Sequence, residues 1–157
     1  MKKFCGLLIL SLFSYVCSAT VSVKLQPLLD EIWQYNLSIS PIFATSQGVH
    51  DFDNKLADMS PDALKKQDSQ FQDFLKKLSF IDETELNRNE QISLLIQQRN
   101  LQKNIDEYRF NAHYMPLTSE SSFHSSLAFL PRSSRFKTLV DYQNYLERLE
   151  QFPTYFE

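Results

Sequence analysis

The sequence predicts an all-α fold, a helical array of about five helices that forms one lobe of a larger domain. Three observations predict it. Apolar residues recur at helical spacing along most of the chain, and no run of alternating apolar residues is long enough to demand a strand. Start signals of the Ser-Pro kind precede the periodic stretches, at Ser40-Pro41 and Ser60-Pro61. Glycine is scarce: of the 2 in 157 residues, only Gly48 lies beyond the amino-terminal segment, which suits helices better than a turn-rich β fold.

The amino terminus has the form of an export signal, predicted to span residues 1–19. Lys2 and Lys3 make a short basic region, and Phe4 through Val16 is mostly apolar but too short for a comfortable membrane span. Cys17-Ser18-Ala19 then offers small residues at the positions a signal peptidase reads, so cleavage is expected after Ala19. The product would be periplasmic or secreted, with no membrane attachment after cleavage. Lipidation of Cys17 is the weaker alternative, because bulky Tyr15 and Val16 precede it, and an uncleaved anchor is a third option. Both cysteines, Cys5 and Cys17, fall in this segment, so residues 20–157 hold no disulfide and no thiolate chemistry. Removing 2 of the 16 basic residues leaves 14 against 19 acidic ones, a formal charge of −5. That acidic balance argues against a nucleic-acid surface.

The helices follow in order. Leu25, Leu28, Leu29, Ile32 and Trp33 share one face of the first, which fades near Leu37. Ser40 and Pro41 are an N-cap and first-turn pair for a short second helix, which Gly48 should end in the left-handed conformation. Residues 49–59 read as a loop. Ser60-Pro61-Asp62 repeats the start signal, with Asp62 favourable against the helix dipole, and Leu64, Phe71, Phe74, Leu75 and Leu78 form the third stripe. A break over residues 79–89 leaves Asn87 or Asn89 to cap a long helix, roughly 90–112, buried through Ile92, Leu95, Leu101, Ile105 and Tyr108 and ended by Met115-Pro116. Residues 118–134 read as an irregular packed connection with Phe123, Leu127, Phe129 and Leu130. Thr138, with Asp141 completing a box-like pattern, starts the last full helix, whose stripe is Leu139, Tyr142, Tyr145, Leu146 and Leu149.

The final residues, Pro153 to Glu157, read as the first turn of another helix, with no later turn to bury Tyr155 and Phe156. Residues 20–157 are therefore expected to be the truncated amino-terminal region of a larger domain.

Catalytic patterns are absent. A metallopeptidase helix needs two histidines four apart with a glutamate beside the first, and His50, His113 and His124 do not supply it. Glu120 and His124 are four apart, but two ligands do not make a zinc site. Asp51-Phe52-Asp53 opens like a calcium loop, yet Lys55 occupies a ligand position and Leu56 replaces the required glycine. Asp51 and Asp53 are thus read as solvated loop residues, one forming an Asx-turn. No serine has a nucleophile-elbow context and no phosphate-binding glycine loop exists. Phe71, Phe74, Tyr142, Tyr145, Phe152 and Tyr155 read as core, or as an interaction patch where nothing covers them.

The stretch Pro41-Ile42-Phe43-Ala44-Thr45-Ser46-Gln47-Gly48-Val49-His50-Asp51-Phe52-Asp53, followed by Leu56, Asp58 and Ser60, resembles the amino-terminal region of the bacterial family called domain of unknown function 885 (DUF885). Tyr108-Arg109-Phe110, Met115-Pro116-Leu117 and Asp141 through Leu149 before Phe152-Pro153 agree, in the same order. The resemblance implies an exported, helical, zinc metallopeptidase-like protein several times longer than this chain. It also implies a downstream His-Glu-x-x-Pro-Gly-His motif in which two histidines hold zinc and the glutamate activates water. No position here matches that motif, so no catalytic residue and no metal ligand can be assigned in this chain. Zinc is implied only for the full-length family member, and the isolated chain is expected to be inactive.

By analogy with helical metallopeptidases, the chain would form one wall of a substrate cleft. Its partners would then be the missing carboxy-terminal portion of the parent and the parent's peptide substrate. The loop from Gly48 to Asp53 would face that cleft, with His50 a substrate-binding candidate for a carboxylate or carbonyl. The plainer reading is that Gly48 closes a helix and His50 packs or hydrates locally. The alternative function is a stand-alone secreted helical protein that binds a partner through exposed aromatic surface without catalysis. A gene remnant without function is a third possibility.

Overall fold

A computed structural model of the chain describes residues 24–115 and 127–156, and no strand occurs among them. The predicted signal segment with its cleavage point, and Phe123, Glu120 and His124 of the connection, lie outside the described residues. The helices are α1 (Leu25–Ile39), α2 (Pro41–Ser46), α3 (Pro61–Ser79), α4 (Arg88–Arg109), α5 (Leu130–Ser133), α6 (Leu139–Glu150) and α7 (Phe152–Tyr155). Short 3-10 turns occupy Glu83–Glu85 and Ala112–Tyr114.

The core is made by α1, α3 and α4, with α3 against α4 the most extensive pairing. Leu25 and Ile32 from α1 meet Phe71, Phe74 and Leu78 from α3, Leu86, and Leu94 and Leu101 from α4. Seven-residue spacings, Leu25 to Ile32 and Leu94 to Leu101, keep each pair on one side of its helix because two turns nearly close on seven residues. Tyr35 packs edge-on to Phe71 and Phe74, with ring centroids 5.8 and 5.5 Å apart. The opposite side of α1 turns toward α2: Leu37 is fully buried, and Trp33 meets the edge of Phe43 at 5.8 Å.

The local signals hold at most boundaries. Gly48 has φ of 79° and ends α2 as expected. Val49 N–H donates to Ala44 O and Gly48 N–H to Thr45 O, both at 3.0 Å, the paired bonds of a Schellman motif. Ser60 Oγ accepts from Ala63 N–H at the start of α3. Asn87 and Glu90 form a full capping box on α4, and Thr138 and Asp141 do the same on α6.

Four expectations need correction. Ser40 sits at the N-cap position of α2, but its side chain caps nothing, and Pro41 alone marks that start. Helix α4 ends at Arg109 rather than near residue 112, because Asn111 adopts the left-handed conformation (φ 57°), which asparagine tolerates. Its termination therefore precedes Met115-Pro116.

The buried face of α4 agrees with expectation at Leu101 and Ile105 but not in the first turns, where Leu94 points inward while Ile92 and Leu95 are exposed. Ile92 stands two residues from Leu94, about 200° around the helix. In α6 the predicted stripe is largely turned outward. Leu139, Tyr142 and Leu146 are exposed, and the fully buried residue is Arg148.

Candidate functional site

The singular feature of this fold is a buried polar knot where the loop after α2 meets α6. Gly48 reverses the chain, and residues 51–54 form turns that bring the loop back against α2. There Asp53 is only 7 % exposed, which corrects its reading as a solvated residue, whereas Asp51 is exposed.

Each carboxylate oxygen of Asp53 has a partner. Thr45 Oγ1 of α2 donates to Oδ1 at 2.6 Å, and His50 Nδ1 lies 2.8 Å from Oδ2. Thr45 Oγ1 is also 3.1 Å from Pro41 O, but a hydroxyl has one proton and the shorter contact is to the ionised group. Arg148 enters from α6. Its Nη2 donates to Thr45 Oγ1 at 3.1 Å and to Phe52 O at 2.9 Å. Burial pulls the Arg148 guanidinium below its usual range, and the Asp53 carboxylate opposes that pull. Arg148 Nε has no hydrogen-bond partner. Beside it lies a cavity of about 10 Å³, near the space of one water molecule, between Asp53, Arg135, Asp141, Tyr145 and Arg148.

Polar clamps extend the knot along the loop. Gln151 Nε2 donates to Asn54 O at 2.6 Å and to Glu147 O at 2.8 Å, while its Oε1 accepts from Leu56 N–H at 3.0 Å. Asn54 Nδ2 donates to Glu147 Oε2 at 2.9 Å. The loop is thus fixed to the end of α6 by Glu147, Arg148 and the C-cap residue Gln151, which lies four residues after the first and three after the second, on the next turn.

What this arrangement offers chemically is an oriented imidazole. Asp53 accepts from His50 Nδ1–H, which leaves Nε2 directed away from the pair, and the His50 side chain is 39 % exposed. The neutral ring presents an acceptor at Nε2; the imidazolium, balanced by Asp53, presents a donor suited to a carboxylate or carbonyl. Thr45, whose hydroxyl shares Asp53 with His50, is buried and engaged in that bond, so it is not poised as a nucleophile. Among the described residues no three His, Cys, Asp or Glu side chains gather as a metal site. The residues present do not fit zinc, and no chemistry of a metal is assigned to them.

The sequence singled out His50 but missed Thr45, Asp53 and Arg148. The one available signal for Arg148 was its position in α6, on the side away from Leu139 and Leu146. The described residues contain no helix long and apolar enough to cross a membrane. A family model described as a bacterial protein of unknown function, DUF885, matches residues 41–157. That span begins at α2 and contains every residue of the knot. No curated protein and no solved structure matches the chain.

Proposed function

The chain belongs to the DUF885 family, and from that premise we propose that it is the amino-terminal lobe of an exported zinc-dependent peptidase or related hydrolase. In this reading it forms part of the substrate-cleft wall and carries no catalytic motif of its own. Export rests on the basic and apolar segment that precedes residue 20. Zinc would be held by the parent's downstream segment, which is also this lobe's partner, and the substrate would be a peptide.

The observation that carries the reading is the Asp53-braced His50, its side chain 39 % exposed, on a loop that Arg148 and Gln151 tie to α6. A loop fixed this firmly positions a side chain for recognition, since a contact residue must already hold its bound geometry. His50 is proposed to hydrogen-bond a carboxylate or carbonyl of the substrate, and not to perform the bond cleavage.

The test begins with the DNA following the Glu157 codon, read in all frames for His-Glu-x-x-Pro-Gly-His. The joined protein should hydrolyse fluorogenic peptides in a zinc-dependent manner, and the isolated chain should not. His50→Ala in the joined protein should raise KM about tenfold with kcat nearly unchanged, the signature of a lost contact made equally in the ground and transition states. Unaltered kinetics in that variant would end the role of His50. Absence of the motif, or of hydrolysis, would end the peptidase reading.

A second reading has its own observation. Ile92, Leu95 and Ile96 on α4, and Leu139, Tyr142 and Leu146 on α6, leave apolar helix faces in solvent. A stand-alone protein that binds a partner through such surface is favoured if the isolated chain is monodisperse and unfolds in one sharp transition. Dye binding and a broad transition favour the lobe.

A further inference from the structure

We propose that the cleft between α1, α3, α4 and the turn at Ala112–Tyr114 binds a small organic cation, an ammonium group carried on an apolar body. The cleft measures about 490 Å³, a volume typical of small-molecule sites. It lies apart from the polar knot and shares no residue with it, so it stands or falls independently of the role given to His50.

One part of the lining is apolar, from Ile39, Leu64, Phe71 and the ring of Tyr108. The remainder includes Asp68, Glu107 and His113, with no Lys or Arg among the described residues that line it, although Glu107 pairs with Lys103 Nζ at 3.5 Å. Two of these polar residues carry unanswered atoms. Asp68 Oδ1 and His113 Nδ1 are closed off from solvent and have no hydrogen-bond partner. Such orphaned groups are rare in folded proteins and call for a physical reason. The other oxygen of Asp68 is already engaged, accepting from Gln72 Nε2 at 2.7 Å. His113 is held by ring contacts, stacked on Tyr108 with centroids 5.3 Å apart and 4.4 Å from Tyr114. Both side chains are therefore placed by neighbours, while one carboxylate oxygen of Asp68 goes unused, as does Nδ1 of His113, an acceptor when the ring carries its proton on Nε2.

The unused set selects its ligand. Asp68 and Glu107 repel an anion. A neutral hydroxyl brings a single proton, whereas an ammonium brings three donors and a charge that answers the carboxylates. The aliphatic lining with Phe71 accommodates an apolar body.

The experiment titrates the whole chain with phenethylamine and, separately, with 2-phenylethanol, its neutral counterpart. Binding is followed by calorimetry and by the aromatic NMR signals of Tyr108 and His113. The amine should bind saturably and shift both rings, with the alcohol weaker by about tenfold or more, a difference of about 1.4 kcal/mol per factor of ten. Asp68→Asn should bring the amine down to the affinity of the alcohol while the helical circular dichroism is retained. His113→Phe, which keeps an aromatic ring against Tyr108, should weaken the amine alone, and it decides the matter if Asp68→Asn does not fold. Absence of saturable binding, equal affinity for amine and alcohol, or amine affinity unaltered in the variants would each overturn the proposal.

Discussion

Arg148 is the residue on which the polar knot depends. It is 1 % exposed, and its charge is answered by Thr45, the carbonyl of Phe52 and the field of Asp53. Arg148 and Asp53 are linked through the Thr45 hydroxyl and not by a direct ion pair, so removing either leaves the other buried without its balancing charge, at a cost approaching the roughly 3–5 kcal/mol of a broken direct pair. Arg148→Met and Asp53→Asn should each lower stability by an amount of that order. The double variant should cost less than the two together, by about 1–3 kcal/mol, because neither charge is then left alone. Urea denaturation of the three variants measures this, and strict additivity would mean that Arg148 and Asp53 do not interact. None of this was legible in the sequence beyond the place of His50. An arginine on a helix reads as solvated until the partner that buries it is known, and here the partners lie 96 and 103 residues earlier. Asp53 looked solvated for the same reason.

At the scale of the element, what is local was readable and what is tertiary was not. Caps and terminators act within one turn, so Ser60, Asn87, Thr138 and Gly48 announce their helices by residue type alone. The inward faces of α4 and α6 depend on what lies across from them. Both helices carry apolar residues on more than one side, and periodicity could not choose between them. Asn87→Ala and Thr138→Ala should each cost about 1 kcal/mol in thermal or urea denaturation. Gly48→Ala should cost about 1–2 kcal/mol from backbone strain alone, because an added Cβ would meet no atom within 4 Å. Gly48→Asn should cost less, since asparagine tolerates positive φ. The acidic caps respond to pH. Hydrogen bonds from Ser60 hold Asp58 below the usual carboxylate range, and those from Thr84 do the same for Asp82. Desolvation pushes Asp141 upward, but the N–H groups of Lys137 and Thr138, with the Thr138 hydroxyl and Arg135, bring it lower overall. A carboxylate depressed in the fold contributes its stability in full above its unfolded value of about 4, and that contribution is lost as pH falls through the depressed value. Stability should therefore decline on acidification below about pH 4, and less steeply in Asp58→Asn than in the parent chain.

Across the whole molecule, two kinds of cohesion divide the chain. Helices α1, α3 and α4 share an apolar core of leucine, isoleucine and phenylalanine. The segment from α6 to α7 attaches differently. It reaches the rest through Asn54, Leu56, Thr45 and Phe52, bonded to Glu147, Arg148 and Gln151, while Leu139, Tyr142 and Leu146 face solvent. Hydrophobic burial is insensitive to small displacements, whereas a hydrogen-bonded clamp is lost when its geometry is lost, so the two regions should open at different free energies. Amide exchange should show the inward turns of α3 and α4 protected up to global unfolding, with α6 exchanging through a smaller, local opening. Gln151→Ala cuts the two clamps to Asn54 and Leu56 without touching the core. It should speed exchange throughout α6 and α7 while the amides of α3 and α4 keep their protection. If exchange slowed or quickened equally in all helices, the chain would be one cooperative unit and the clamps would be part of its core. If only α6 and α7 respond, the carboxy-terminal segment is a separately yielding element, and, in the larger domain proposed above, covering the outward faces of α4 and α6 should raise its protection toward that of the core.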